Sequence, residues 1–198
     1  MSHAAVLLAG GYSRRMGSDK ASLPWGRASL LQHQAATLRA TGARDWILAC
    51  RPEQQFALPG FKLVPDPEPD RGPMAALANV WKHTQTDVLL VLAVDMPFAP
   101  AAWLRQLAIM ADREGQSVLP ASDSVYEPLA AAWHRSCLPH WHSALKSSRR
   151  SFQTLSKELA AYGKLREITI GKEETRWLTN LNCPADFSRH NETRSSLS

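Results

Sequence analysis

The sequence is dominated by short apolar runs that alternate with stretches of helical spacing, and turn residues separate the two. This alternation is typical of βαβ units, whose parallel strands are covered by helices and therefore consist almost entirely of apolar residues. It predicts strands at residues 4–8, 46–49, 62–64, 88–93, 117–121, 129–133 and 167–170. Apolar residues three and four apart predict helices over residues 30–38, 73–81 and 103–111. We therefore predict an α/β fold with a mostly parallel central sheet between two layers of helices.

Length and composition limit the class of protein. The 198 residues, 44% hydrophobic and 21% charged, fit one globular domain, and no repeat or Gly/Ser linker divides them. We expect that domain to span residues 1–190 and to be followed by a flexible tail, residues 191–198, that lacks core-forming side chains. The formal net charge of +5 favours an anionic partner, but the basic residues are too scattered to favour nucleic acid.

Cysteine usage and the apolar runs bear on the compartment. Cys50, Cys137 and Cys183 are far apart in sequence, which argues against a zinc ribbon and against a disulfide framework. No secretory signal is recognisable, and the longest apolar run is too short to span a bilayer. We therefore expect a cytoplasmic protein with no membrane partner.

A glycine-rich segment, residues 8–20, follows the first predicted strand and reads L-A-G-G-Y-S-R-R-M-G-S-D-K. Glycines allow successive backbone N–H groups to point at phosphate oxygens, and nearby basic side chains add positive charge. The residues concerned are Gly10, Gly11, Gly17, Arg14, Arg15 and Lys20. The spacing matches neither the Walker P-loop nor the dinucleotide-binding G-x-G-x-x-G pattern. The segment predicts phosphate binding, with a glycine turn and solvated arginines as the structural alternative.

A carboxylate follows the central predicted strand. Asp95 comes directly after the apolar run 88–94, so its side chain is expected at the carboxyl edge of the sheet, where open α/β folds bind ligands. The glycine-rich segment is expected at the same edge. Magnesium binds one or two carboxylates together with phosphate oxygens and water, so a single aspartate is sufficient. An Asx turn or a helix cap is the structural alternative for Asp95.

Four segments together resemble motifs of the nucleotidyltransferases related to molybdenum cofactor guanylyltransferase. Residues 8–20 resemble the signature L-A-G-G-x-S-x-R-M-G-x-D-K, with matches at Leu8, Ala9, Gly10, Gly11, Ser13, Arg15, Met16, Gly17, Asp19 and Lys20. Residues 72–77 (G-P-M-A-A-L) resemble G-P-L-x-G-L, and residues 95–98 match D-M-P-F. Residues 180–186 (N-L-N-C-P-A-D) resemble N-x-N-T-P-E-D, so the resemblance covers most of the chain.

The resemblance implies a Rossmann-like three-layer sandwich of the nucleotide-diphospho-sugar transferase type, and it identifies residues 1–190 as a nucleotidyltransferase domain. It implies transfer of GMP from GTP to the phosphate of Mo-molybdopterin, with release of pyrophosphate and with Mg²⁺ as cofactor. It gives catalytic roles to Lys20, Asp95 and Arg15 and assigns the metal to Asp95. The nucleotide-binding residues that it implies are Leu8, Ala9, Gly10, Gly11, Ser13, Arg14, Arg15, Gly17, Lys20, Asp66, Gly72 and Asp95.

Other residues are implied less directly. The resemblance puts Asn182, Arg149, Arg150 and Glu127 near the acceptor. Each has a simpler interpretation: a helix cap for the asparagine, a solvated face for the arginines, and a turn before a strand for Glu127. Asp66 could equally be a solvated loop acid. GTP and Mo-molybdopterin are the expected small-molecule partners, with transient contacts to molybdoenzymes or their chaperones.

One segment departs from the resemblance. Where guanylyltransferases of this type often carry N-A-N-R, residues 49–51 read A-C-R, with Cys50 at a polar position. A cytidylyltransferase for the same cofactor, or a nucleotidyltransferase with another phosphorylated acceptor, therefore stays open. A non-catalytic nucleotide sensor or cofactor-delivery protein is the alternative from another class. The presence of Lys20, Asp95 and Asn182 together favours catalysis.

Overall fold

A mixed β-sheet separates two layers of helices in the computed structural model of the chain. The structure describes residues 2–10, 19–68, 71–147, 151–181 and 186. In these ranges the strands are β1 (His3–Leu8), β2 (Pro24–Trp25), β3 (Ala28–Ser29), β4 (Asp45–Cys50), β5 (Lys62–Pro65), β6 (Val88–Ala93), β7 (Ser117–Ser122), β8 (Val125–Tyr126), β9 (Ala130–His134) and β10 (Leu165–Thr169). The α-helices are α1 (Leu30–Arg39), α2 (Pro73–Val80), α3 (Ala101–Glu114), α4 (Leu138–Lys146) and α5 (Phe152–Ala161). None of these described helices is long and apolar enough to traverse a lipid bilayer.

The large sheet has the strand order β10-β7-β9-β6-β1-β4-β5, and β8 pairs with the end of β7. β1 lies between β4 and β6 and is parallel to both, and β4 is parallel to β5. β7 and β10 are also parallel to each other. β9 runs antiparallel to both of its neighbours, β6 and β7. The predicted three-layer arrangement with a mostly parallel sheet is therefore confirmed, and β9 and the short β8 run in the opposite direction.

Strand β1 shows how one sheet supports two cores. All six of its residues are buried, and side chains of a strand point alternately to its two faces. Leu7 belongs to the apolar cluster that includes Leu30 of α1 and Leu104 of α3. Val6 belongs to the opposite cluster, which includes Trp141 of α4 and residues of α2 and α5. Burial on both faces explains why the strands could be recognised as continuous apolar runs.

Helix α1 begins at a capping box. The Ser29 hydroxyl accepts a hydrogen bond from the Gln32 N–H (3.2 Å), and the Gln32 side chain accepts one from the Ser29 N–H (2.9 Å). This exchange pairs two N–H groups that have no partner inside the helix. The buried face of α1 is apolar except for Gln34, which is fully buried. The NH₂ group of this buried amide donates to the Ala93 and Met96 carbonyls, which lie at the end of the central strand β6 and just after it.

Several elements were not predicted. The hairpin β2–β3 turns through Gly26, whose φ is 63°, and its strands have two residues each, too few for a periodic pattern. Helix α4 was also missed, because its apolar stripe of Leu138, Trp141 and Leu145 is short and only Trp141 in it is fully buried. The reversed direction of β9 was not foreseen either. The predicted strands 129–133 and 167–170 are correct in kind, but their ends differ from those of β9 and β10 by one or two residues.

Candidate functional site

The carboxyl ends of β1, β4, β5 and β6 form one edge of the sheet, because these neighbouring strands are parallel. Backbone hydrogen bonds extend this edge beyond the strands, from the Ala9 N–H to the Ala49 carbonyl (2.9 Å) and from the Asp66 N–H to the Cys50 carbonyl (2.7 Å). A cleft of about 340 Å³ opens there, which is within the size range of small-molecule sites. Every predicted nucleotide-binding residue that the structure describes lines this cleft, namely Leu8, Ala9, Gly10, Lys20, Asp66, Gly72 and Asp95.

Lys20 and Asp95 meet in the cleft as an ion pair, although 75 positions separate them in sequence. The Lys20 Nζ donates to Asp95 Oδ2 at 2.9 Å, and the two side chains are 15% and 23% exposed. Lys20 opens a 3₁₀ turn (Lys20–Ser22), and Asp95 follows β6. Partial burial lowers the local dielectric constant and strengthens interactions between charges. The cleft therefore contains a cation and a carboxylate in fixed positions.

The turn that carries Asp95 is held from two directions. The Gln34 Nε2 on α1 donates to the Ala93 carbonyl (3.0 Å) and to the Met96 carbonyl (2.8 Å), on either side of the aspartate. The Leu181 N–H donates to the Asp95 carbonyl (2.9 Å). These bonds pair backbone oxygens that burial would otherwise leave without a partner. They fix the position of the Asp95 carboxylate, which lies on a loop and not in a helix or strand.

The start of α2 forms another wall of the cleft. Gly72 caps the helix with a φ of 78°, a left-handed conformation that glycine adopts without strain. Pro73 occupies the first turn, as predicted, and lines the cleft together with Gly72 and Ala76. Helix N-termini favour anions, because their first N–H groups are unpaired and the helix dipole is positive there. This wall therefore suits phosphate oxygens.

Asp66 follows β5 and is 7% exposed. Its Oδ1 accepts a hydrogen bond from the Glu68 N–H at 3.0 Å, which closes a local turn. Burial raises the pKa of the Asp66 carboxyl above its ordinary value, and the hydrogen bond from Glu68 opposes that shift in part. Asp66 is therefore a buried acid of the cleft wall, and the solvated-loop alternative is wrong.

Glu127 reaches the same edge because β9 is reversed. Since β9 is antiparallel to β6, the residues before β9 lie beside those that follow β6, and the Ala93 N–H donates to the Leu129 carbonyl at 2.8 Å. The Glu127 carboxylate accepts a hydrogen bond from the Leu129 N–H at 3.1 Å. Burial first, and the negative charge of Asp95 in addition, raise the pKa of Glu127. Glu127 is thus close enough to Asp95 for their charges to interact.

Replacing Glu127 by glutamine is expected to change how the free energy of unfolding depends on pH. The folded protein holds the Glu127 proton more tightly than the unfolded chain does. This group therefore weakens the fold progressively as the pH rises from the ordinary glutamate pKa through the raised pKa of the folded protein. Glutamine stays neutral and can still accept the Leu129 N–H.

Relative to the parent, Glu127→Gln should therefore gain stability between acidic and neutral pH in urea unfolding experiments. The same change at the exposed Glu173 is the control and should leave the pH dependence unaltered. Parallel stability curves for the parent and Glu127→Gln would contradict the expectation.

Part of the predicted site lies outside the described residues, namely Gly11, Ser13, Arg14, Arg15, Gly17, Arg149, Arg150 and Asn182. Within the described ranges, no three His, Cys, Asp or Glu side chains group in a way that could hold a metal ion. A divalent cation at Asp95 could take further oxygen ligands from a bound phosphate and from water. Magnesium accepts such mixed ligand sets, so the carboxylate at this edge fits that ion.

Three polar residues that support the cleft were not predicted from the sequence. Gln34 could have been recognised, because it is a polar residue on an otherwise apolar face of the predicted helix. Arg51 and Gln54 follow β4 at the carboxyl edge, and a search of the polar residues after each predicted strand would have found them. Their contacts with the glycine-rich segment, in contrast, carry no sequence signal.

The chain is similar to known proteins both in sequence and in fold. Residues 5–162 match the family of the MobA-like NTP transferase domain. The "Probable molybdenum cofactor guanylyltransferase" of Opitutus terrae is 34% identical over 189 residues, which cover 94% of this chain and 93% of that protein. The crystal structure of molybdopterin-guanine dinucleotide biosynthesis protein A from Archaeoglobus fulgidus has a TM-score of 0.77 at 21% identity, with 98% of this chain and 99% of that chain covered.

A second solved structure is that of Rv0371c from Mycobacterium tuberculosis H37Rv in complex with manganese. Its TM-score is 0.60 at 17% identity, with 89% of this chain and 97% of that chain covered. Both structural likenesses concern the fold, which is that of the nucleotide-diphospho-sugar transferases.

Proposed function

This chain belongs to the MobA-like NTP transferase domain family, and from that membership we propose that it transfers GMP from GTP to the phosphate of Mo-molybdopterin. The products are molybdopterin guanine dinucleotide and pyrophosphate. The observation that carries the proposal is the cleft at the carboxyl edge, where the Lys20–Asp95 pair lies among those predicted nucleotide-binding residues that the structure describes. We propose that the reaction takes place in the cytoplasm and that the product passes transiently to molybdoenzymes or their chaperones.

The proposed reaction exchanges one phosphorus–oxygen bond for another. An oxygen of the acceptor phosphate attacks the α-phosphorus of GTP, the bond to the oxygen that bridges to the β-phosphate breaks, and pyrophosphate leaves with the bonding electrons. A phosphate monoester is already anionic near neutral pH, because its second pKa is about 6. No side chain has to remove a proton from it. The protein therefore has to supply alignment and positive charge.

The described residues can meet these two requirements. Lys20 brings a positive charge to the phosphates, and the helix start at Gly72 and the backbone at Gly10 face the same cleft. Asp95 would hold the magnesium ion, which neutralises charge on the triphosphate and on the leaving pyrophosphate when bound. Arg15 is proposed to add a second cation. On the acceptor side we propose Glu127, together with Arg149, Arg150 and Asn182.

A cytidylyltransferase for the same cofactor is the second candidate, and Cys50 is the observation that favours it. Cys50 ends β4, is 1% exposed and lines the cleft. Burial raises the pKa of its thiol, so the sulfur is uncharged near neutral pH. A thiol is a weaker hydrogen-bonding group than the amide often present at this position in guanylyltransferases. Whether the protein prefers guanine or cytosine is therefore to be measured directly.

Pyrophosphate release is the measurement that tests the proposal. With Mg²⁺ and Mo-molybdopterin present, we expect release with GTP and at most slow release with ATP, CTP or UTP. Removing either the acceptor or the metal, the latter with a chelator, should reduce the rate to background. Release with CTP in place of GTP would move the assignment to a cytidylyltransferase. No release with any triphosphate would instead support a nucleotide sensor or delivery protein.

A further inference from the structure

The connection after β4 begins with a small turn that orients Gln54. The Gln54 N–H donates to the Arg51 carbonyl (3.1 Å), and the Arg51 N–H donates back to Gln54 Oε1 (2.7 Å). Gln54 is 9% exposed, so this long polar side chain lies inside the protein. Its carbonyl oxygen is engaged by the turn, and its NH₂ group is thereby directed away from the turn.

The NH₂ group of Gln54 joins the two ends of the glycine-rich segment. Its Nε2 donates to the Ala9 carbonyl at 3.2 Å and to the Asp19 carboxylate Oδ2. Ala9 follows β1 directly, whereas Asp19 immediately precedes the catalytic candidate Lys20. One buried amide therefore links the residues on both sides of positions 11–18, which lie outside the described residues. We call Gln54, Ala9 and Asp19 the clasp.

Arg51 reinforces the clasp from the same turn. Its Nη1 donates to the Gly10 carbonyl at 3.4 Å, and its Nη2 lies 3.7 Å from Asp19 Oδ2. The Arg51 side chain is 13% exposed, so its charge is only partly screened by water. The Asp19 carboxylate thus receives an amide hydrogen bond and a neighbouring positive charge on one oxygen.

The other carboxylate oxygen of Asp19 fixes the start of the 3₁₀ turn that carries Lys20. Asp19 Oδ1 accepts a hydrogen bond from the Ala21 N–H at 3.0 Å and caps the turn Lys20–Ser22. Lys20, which opens this turn, reaches Asp95 at 2.9 Å. A chain of contacts therefore runs from Gln54 through Asp19 to the lysine of the ion pair. Asp19 matches the family signature, but no role for it was predicted, and the clasp gives it a structural one.

We propose that Gln54 is a positioning residue that fixes the two described ends of the glycine-rich segment, at Ala9 and Asp19, and through Asp19 holds Lys20 where it meets the triphosphate, an inference that rests on the proposed function. Fixing backbone on binding costs conformational entropy, and segment ends that are held before the ligand arrives spare part of that cost. Hydrogen bonds to charged groups are stronger than neutral ones, which makes the Gln54–Asp19 contact the main bond of the clasp. Gln54 itself touches neither metal nor reacting atoms in this proposal.

The test exchanges the hydrogen-bonding groups of the clasp. Gln54→Glu puts a second carboxylate against Asp19, and Asp19→Asn turns an amide NH₂ toward that of Gln54, so each single variant loses the bond. The double variant restores one donor and one acceptor between residues 54 and 19 and leaves the net charge of the pair unchanged, whereas the bond to the Ala9 carbonyl is lost in every protein that carries Gln54→Glu. The matched control is Gln153→Glu, because Gln153 also bridges backbone groups, those of Tyr126, outside the cleft.

Isothermal titration with Mg²⁺ and GTP is the first readout. Each single variant is expected to bind GTP about 10- to 100-fold more weakly, the range for losing a hydrogen bond to a charged group. The double variant should recover a substantial part of that loss, whereas Gln153→Glu should bind like the parent. KM for GTP should rise more than kcat falls, and KM for the acceptor should stay unchanged. The proposal would be overturned if the loss of GTP affinity in the double variant equalled the product of the two single losses. It would also be overturned if the single variants bound GTP as tightly as the parent.

Hydrogen exchange of the nucleotide-free protein separates the clasp from the proposed function. The backbone amides of Gly10, Lys20 and Ala21 should exchange faster in Gln54→Glu than in the parent, and the double variant should reverse the change at Lys20 and Ala21, because it restores the contact with residue 19. Equal exchange in all three proteins overturns the clasp, whatever the nucleotide affinity. A parent that binds no triphosphate overturns the proposed function and, with it, the triphosphate-binding role of Gln54.

Discussion

Lys20→Ala is expected to lower kcat/KM for GTP by about 100- to 1,000-fold, the usual cost of removing one preorganised electrostatic group from an active site. The Lys20 Nζ lies 2.9 Å from Asp95 Oδ2 and is held there before any ligand arrives. Its charge needs little rearrangement to meet the phosphates, and this is why its loss should be large. Steady-state pyrophosphate release is the appropriate measurement.

The controls for this prediction separate charge from folding. Exposed Lys82→Ala removes a lysine that does not line the cleft and should leave the rate unchanged. Lys20→Arg keeps the positive charge on a side chain of different shape, and its kcat/KM should lie between those of the parent and of Lys20→Ala. Thermal unfolding should show that Lys20→Ala still folds. A folded Lys20→Ala protein that works at the parental rate would remove Lys20 from the catalytic residues.

Trp141→Ala should have the largest effect on stability, lowering the free energy of unfolding by about 3–5 kcal/mol, as is usual when a large aromatic side chain is truncated in a core. Trp141 is fully buried, and its ring centroid lies 4.7 Å from that of Trp133 and 5.6 Å from that of Phe152. Its Nε1 donates to the Met74 carbonyl at 3.0 Å, so truncation also removes a buried hydrogen bond. Domains of this size are stable by only about 5–15 kcal/mol, and the loss is therefore a substantial part of the total.

Urea unfolding of three variants would test this interpretation of the core. Trp141→Phe keeps an aromatic ring without the N–H and should lose less than Trp141→Ala. The partly exposed Trp177, whose ring centroid is 5.4 Å from that of Trp103, provides the matched control. Trp177→Ala should cost less because part of its side chain remains in contact with water in the folded protein. Similar losses for Trp141→Ala and Trp177→Ala would show that the contact between α4 and the sheet is not a main source of stability.

The sheet could be predicted because its central strands are buried on both faces. In β6 all six residues are buried, and the apolar run gave the bounds of this strand directly. Strand direction has no such signal, since a doubly buried strand has the same composition in either orientation. The reversal of β9 depends on the hairpin β7–β8, whose turn residues Asp123 and Ser124 have φ values of 48° and 63°. Asp-Ser is a much weaker hairpin signal than Asn-Gly or Asp-Gly.

The candidate site was predictable where its residues follow strands or lie in a motif. Lys20, Asp66 and Asp95 were found in this way, and the structure brings them to one cleft. Gln54 was not, because its partners lie 35 and 45 positions away and meet it only after β1 pairs with β4. A glutamine in a polar connection has no pattern that reveals such partners. Long-range polar contacts of this kind require the three-dimensional arrangement.

The hydrogen bond from the Leu181 N–H to the Asp95 carbonyl has a consequence for the order in which the site is completed during synthesis. Chains emerge from the ribosome N-terminus first, so the lysine and the carboxylate are made long before residue 181. A nascent chain can therefore hold both charged groups while the turn that presents the carboxylate still lacks its last backbone tie. Chains that end before residue 181 lack this tie, and we expect them to hold the Asp95 carboxylate less firmly.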